Sequence, residues 1–148
     1  MNKIRQKLYE DVKALDYQLP NYISSRCSFL TQETIGDNNL ILEDNTIQPF
    51  VKLGSNNVLW SGNHIGHDSV ITDHCFITSH VVISGFTVIG QNSFLGVNCT
   101  LRDGIKIGAE SLIAAGAVVM KDTLPKQVII PPRSIVFEKT SDQIVISN

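Results

Sequence analysis

The sequence predicts an all-β parallel β-helix, and three periodic features predict it. A large apolar residue recurs at every sixth position from Ile23 through Ile65 and Ile89 to Val119, 17 successive positions without an insertion. With roughly a third of residues in this class, chance would give such a run about once in a hundred million trials at a fixed phase. Two residues before these positions lies a mostly small side chain, as at Cys27, Asn45, Ser69, Cys75, Ser93 and Ala117. One residue after them glycine recurs, as at Gly36, Gly54, Gly66, Gly90, Gly96 and Gly108. A period of six fits neither a 3.6-residue helix nor a plain alternating hairpin. It fits a short strand plus a turn, with three hexads closing a triangular coil of 18 residues. Residues 18 apart then stack one strand spacing, about 4.8 Å, from each other.

Two segments flank the repeat. Over residues 3–16, Ile4, Leu8, Val12 and Leu15 stand at helical spacing among charged and polar residues, which predicts a short amphipathic helix that ends before Pro20. After Val119 come Pro125, Pro131 and Pro132, then alternating runs at 135–137 and 144–146. These predict an extended C-terminal tail that caps the coil or crosses to another subunit, since coil ends otherwise present unpaired strand edges. The organisation is thus a helix in 1–20, a β-helix in 21–123 and a tail in 124–148.

Composition narrows the function. Twelve Lys+Arg against fourteen Asp+Glu give a net charge of −2. That excludes a nucleic-acid binder working by bulk positive charge and a polybasic membrane-surface protein. No nucleic-acid or membrane partner is expected. The 28 residues between Asp73 and Arg102 contain no Asp, Glu, Lys or Arg. His, Ser, Thr, Gly, Asn and Gln interrupt that run throughout, so it does not read as a membrane span. It reads as the middle of the prism, with outward positions facing other subunits. No secretion signal opens the sequence, and a cytoplasmic location is expected. Cys27 and Cys99 share a stacking column four coils apart, roughly 19 Å, too far for a disulfide. The three cysteines therefore read as small core residues.

Four histidines fall between residues 64 and 80. His74 shares its column with Asn38, Asn56, Asn92 and Glu110, and His80 shares its own with Asp44, Gly62, Asn98 and Gly116. Asn, Asp, His and Gly tolerate left-handed backbone, so both histidines read as corner residues. His64 precedes an inward Ile and points outward. His67 differs. Its column contains Pro49, which forbids positive φ, so a turn does not explain it. Asp68 follows it directly and Gly85 stacks above it. An imidazole near neutral pKa is a natural general base for an amine or hydroxyl attacking a thioester. A neighbouring carboxylate orients such a ring, and a backbone N–H stabilises the developing oxyanion.

The segment Trp60–Ile71, continuing through Ser79–Gly85, resembles bacterial sugar acetyltransferases of the sialic-acid O-acetyltransferase and UDP-amino-sugar N-acetyltransferase type, built of hexapeptide repeats. The similarity covers roughly residues 20–123. It implies a left-handed coil, acetyl-CoA as co-substrate, a sugar acceptor that is a small molecule, and a homotrimer with active sites between subunits. By this resemblance His67 is the catalytic base, Asp68 the acid that tunes it, and Gly85 the amide that meets the acetyl carbonyl. Val97 and Ala115 match cofactor contacts. Phe76 stands where many relatives carry a second histidine that touches the cofactor. Full-length relatives also carry an N-terminal Rossmann-like domain that binds the sugar nucleotide, and residues 3–16 resemble its last helix. Lys121, Lys126 and Arg133 are candidates for CoA phosphates, beside the alternative of an ordinary solvated face. Two competing functions remain open at this level: a non-catalytic solenoid used for assembly or binding, and a zinc carbonic anhydrase with histidines shared between subunits. No resident metal is expected.

Overall fold

A computed structural model describes residues 2–144 as helix α1 (Asn2–Ala14) followed by a three-sided parallel β-helix. Each strand is two residues long, the first facing outward and the second inward. Face A stacks seven strands from Tyr22–Ile23 to Val128–Ile129, face B six from Ser28–Phe29 to Val118–Val119, and face C four from Lys52–Leu53 to Lys106–Ile107. Paired strands lie 18 residues apart, as in Val58↔Phe76 and His64↔Val82, so the predicted coil length holds. The last coil is short by two residues: Ile113 pairs with Ile129. The strand ladder thus runs beyond residue 123. The tail from Ile130 to Thr140 has no regular structure and only a short 3-10 turn, Ser141–Gln143, follows. The expected strand at 144–146 lies largely outside the described residues.

The sixth-position residues fill the prism. Ile41, Leu59, Ile65, Ile77, Ile83, Leu95 and Leu101 are fully buried. Burying such a side chain contributes roughly 1.5–3 kcal/mol, so the column dominates the folding energy. The small inward positions do more than make room. In the N-terminal coils Asn39 Oδ1 accepts from the Asn57 N–H, Asn57 Oδ1 from the Cys75 N–H, and Asn63 Oδ1 from the Val81 N–H. Each amide satisfies a buried turn donor one coil on, which an apolar residue there would leave orphaned. Cys75 and Cys99 are buried in the equivalent positions and all three cysteines are free. Burial pushes the Cys75 and Cys99 thiols up to about 12.

Helix α1 lies along the corner between faces C and A. Its 13 residues span about 20 Å, close to the roughly 19 Å of four coils. Asn2 donates to the Asn92 and Ser93 carbonyls at the upper end, and Tyr9 and Lys13 donate to Asp37 at the lower end. Asp16, with φ 61°, closes the helix in left-handed conformation, so it stops two residues before the expected end. The docked face is polar. Of the stripe that defines the amphipathic pattern, Ile4, Leu8 and Leu15 are exposed, while Val12 is half-buried and borders, with Leu8, a cleft beside Asn38 and Asn56. The corner that receives the helix offers Asp37, Asn38, Asn56, His74 and Asn92, which polar side chains complement.

Candidate active site at the corner between faces B and C

The three corners are defined by three columns of left-handed residues. Between faces C and A the column is Asn38, Asn56, His74, Asn92 and Glu110, with φ from 55° to 62°. Between faces A and B it is Asp44, Gly62, His80, Asn98 and Gly116. His74 and His80 are therefore turn residues, as the columns predict. His74 is buried under the helix, where its Nδ1 lies 2.8 Å from Asn56 Nδ2 and Tyr9 meets it edge-on at 5.5 Å. Between faces B and C the column is Phe50, Asp68, Phe86 and Gly104. Asp68, φ 57°, is thus itself a turn residue, a role that the stacking pattern did not assign to it.

His67 precedes that left-handed position and is free of it. Its N–H donates to Gln48 Oε1 at 2.9 Å, and its carbonyl accepts from the Phe86 N–H at 3.0 Å. The backbone is thereby pinned from the coils below and above. Its Nδ1 lies 2.9 Å from Asp68 Oδ2. That contact places the proton on Nδ1 and leaves the Nε2 lone pair free. The ring leans over the next coil, where a Cβ on Gly85 would come within 3.0 Å of Cε1 and Nε2. The Gly85 N–H has no hydrogen-bond acceptor among the described residues. A proton acceptor, its orienting carboxylate and an available amide therefore converge within one coil step. The side chains of His67 and Asp68 are about half and two-fifths exposed, so the site opens to solvent.

Val97 and Ala115 stack one coil apart at the corner between faces A and B, not at the corner that holds His67. A single chain thus brings three of the five indicated residues together. Both residues are exposed, and their N–H groups also have no acceptor among the described residues. Face B, with His64 pointing outward, lies between the two corners. His67, His74 and His80 stand at three different corners, so one chain cannot gather them about an ion. Among the described residues no three His, Cys, Asp or Glu side chains form a metal-binding group. Lys126 lies 4.0 Å from Glu110, while Lys121 and Arg133 are exposed. Among the described residues no helix is long and apolar enough to cross a membrane. The hexad pattern does not point to Gln48 or Phe86; the column shared by Phe50, Asp68 and Phe86 is the signal that finds the latter.

Comparison with known proteins agrees with this architecture. Residues 86–121 match the hexapeptide repeat of succinyl-transferase. The acyl-[acyl-carrier-protein]–UDP-N-acetylglucosamine O-acyltransferase of Nautilia profundicola is 28% identical over 102 residues, covering 64% of this chain and 39% of the relative. The acetyltransferase domain of PglB from Neisseria gonorrhoeae superposes with a TM-score of 0.80 at 25% identity, over 84% of this chain and 60% of that one. Perosamine N-acetyltransferase from Caulobacter crescentus, solved with CoA and GDP-perosamine, gives a TM-score of 0.81 at 22% identity over 86% and 60% of the two chains, a likeness of fold. The chain spans about two fifths of the length of the acyltransferase relatives it matches and three fifths of the solved chains. With its unbroken hexads and three-sided coil, the chain has the left-handed β-helix fold of hexapeptide-repeat proteins and is similar to acyl- and acetyltransferases.

Proposed function

We propose that this chain transfers an acetyl group from acetyl-CoA to an amine or hydroxyl of a sugar, carried on a nucleotide. The observation that supports this most directly is the His67 ring, held by Asp68 with its free Nε2 over Gly85. In the proposed reaction Nε2 takes the proton of the acceptor as its nitrogen or oxygen attacks the thioester carbonyl. The tetrahedral oxyanion receives the Gly85 N–H. Collapse expels the CoA thiolate, which takes the proton back from His67. The acetylated sugar and free CoA leave. Solved neighbours of the same fold hold acetyl-CoA, or CoA with GDP-perosamine, which supports both substrates.

The active unit in this proposal is a homotrimer. Val97 and Ala115 contact acetyl-CoA from one subunit while His67, Asp68 and Gly85 act from its neighbour, which answers their separation onto two corners. Face A supports the assembly: its outward positions are Tyr22, Leu40, Val58, Phe76, Phe94, Leu112 and Val128, apolar at every coil. Face B mixes Ser28, Thr46, His64 and Thr100 into the same positions. A continuous apolar strip of this length is what a subunit interface uses. The test is release of free thiol from acetyl-CoA in the presence of GDP- and UDP-linked amino sugars, measured for the parent chain and His67→Ala. The variant should lose turnover while keeping its mass by light scattering and its acetyl-CoA affinity. Unchanged turnover would remove His67 as the base.

A further inference from the structure

Two corner residues break the rule that the other corners obey. The left-handed positions are held by Asn, Asp, His and Gly, apart from Glu110 and Lys126, which pair with each other, Glu110 also reaching Lys3. Phe50 and Phe86 occupy such positions with φ 64° and 58°. For a bulky side chain this backbone is unfavourable, and a residue held there signals a constraint from outside local structure. Burial does not supply one, since the two residues are 61% and 60% exposed. Both lie in the His67 column's corner. They bracket Asp68 one coil below and one coil above, about 10 Å apart. The Phe86 ring stands edge-on to the His67 ring at 5.0 Å between centroids. Phe50 borders a cavity of about 470 Å³ with Leu30, Pro49, Gln32 and Glu33.

We infer that Phe50 and Phe86 are the acceptor platform, each offering an aromatic face to the C–H side of a pyranose ring so that its nucleophile meets His67 Nε2. The inference rests on the acetyltransferase proposal and assigns the part of the acceptor that the β-helix itself holds. The corner pairs themselves offer a ring surface and no cation. Asp68 and Asp103 are the only charged residues among the corner pairs from Thr31 to Gly104, with the exposed cations Lys52 and Arg102 just outside them. Exposed aromatic rings beside a base bind by dispersion and by contact of the ring face with weakly positive C–H groups. The sugar ring therefore lies on this corner.

Phe86→Asn and Phe50→Asn test this without breaking the turn, because asparagine already fills that conformation elsewhere in the coil. The probes are GDP-perosamine and UDP-N-acetylglucosamine, followed by saturation-transfer NMR and titration, alongside acetyl-CoA affinity, melting temperature and thiol release. The parent chain should transfer saturation to pyranose C–H protons of at least one probe. Phe86→Asn should weaken that probe at least fivefold, raise its KM where it is turned over, and leave acetyl-CoA affinity within twofold and melting temperature equal or higher. Absence of saturation transfer to either pyranose would overturn the platform, as would a fall in melting temperature, a loss of the oligomer, or an effect confined to acetyl-CoA. Sugar binding that depends on Phe86 in a chain that releases no thiol would keep the platform and sink the acetyltransferase proposal. Thiol release that is indifferent to both substitutions would do the reverse.

Discussion

The imidazole of His67 lies over Gly85, where an added Cβ would stand 3.0 Å from both Cε1 and Nε2. Gly85 has no left-handed φ, so its lack of a side chain answers to His67, whose ring and carbonyl oxygen would stand 3.0 and 3.2 Å from a Cβ, and not to its own backbone. Gly85→Ala should therefore fold normally and keep the amide in place while pushing the ring aside. A displacement of a few tenths of an ångström to 1 Å at a reacting group costs up to about 100-fold in rate. Steady-state thiol release should fall by that order, with the melting temperature almost unchanged. A fully active alanine variant would mean that the ring position seen here is not the working one.

In the proposed mechanism Asp68 carries two duties, and one substitution separates them. Asparagine tolerates φ near 57° and so preserves the corner, but it cannot hold a proton on His67 Nδ1 as a carboxylate does. Asp68→Asn should keep its stability and lose about 100-fold or more in kcat. Asp68→Ala should add a loss of stability from the strained turn. Thermal melts beside rate measurements on both variants check this, and equal melting temperatures for the two would contradict the turn assignment.

His74 gives the opposite expectation. It fills a left-handed position and packs on Tyr9 under the helix, at a different corner from His67. His74→Asn should leave turnover unchanged and cost about 1 kcal/mol of stability through the lost aromatic contact. A catalytically dead but folded variant would refute its role as a corner residue.

The docking of helix α1 should depend on pH in a defined window. Burial works to raise the Asp37 carboxyl, but hydrogen bonds from Lys13, Tyr9 and Ser55 outweigh it and hold the group at about 2 against its ordinary 3.8. A depressed carboxylate stabilises the folded state above its unfolded pKa, and that contribution disappears as pH falls through the folded value. The helix should stay docked at pH 5 and loosen between about pH 4 and pH 2. Hydrogen exchange of the α1 amides would report it, and Asp37→Asn should show the loosened state already at neutral pH. Protection that is flat across this range would remove Asp37 as the anchor.

Much of the fold was legible in the sequence because the β-helix has one short rule that repeats. The apolar sixth residue gave the coil, the 18-residue stacking and the corner roles of His74 and His80. It also placed His67 with Gly85. What it left out needed information that the rule does not carry. The turn role of Asp68 was hidden because its column neighbours are phenylalanines, which do not look like turn residues. The helical stripe of Ile4, Leu8, Val12 and Leu15 fixes that one side of α1 is apolar, but not that Asn2, Tyr9 and Lys13 anchor the helix to the corner by hydrogen bonds. The separation of Val97 and Ala115 from His67 follows from counting hexads around the prism, yet resemblance alone sets all five residues in one list.

The constant 18-residue stacking has a consequence for length changes in the chain. Insertion or removal of a whole coil between the helix and His67 slides the site along the axis and leaves its parts facing each other. Loss of a single hexad between His67 and Gly85 keeps every strand short, apolar inside and paired, yet turns everything downstream by one third of a revolution. Gly85 would then sit at a neighbouring vertex and the imidazole would face a different backbone. Strand pairing thus survives changes in multiples of six, whereas the corner columns that hold the helix and the site survive only multiples of eighteen, and none between His67 and Gly85.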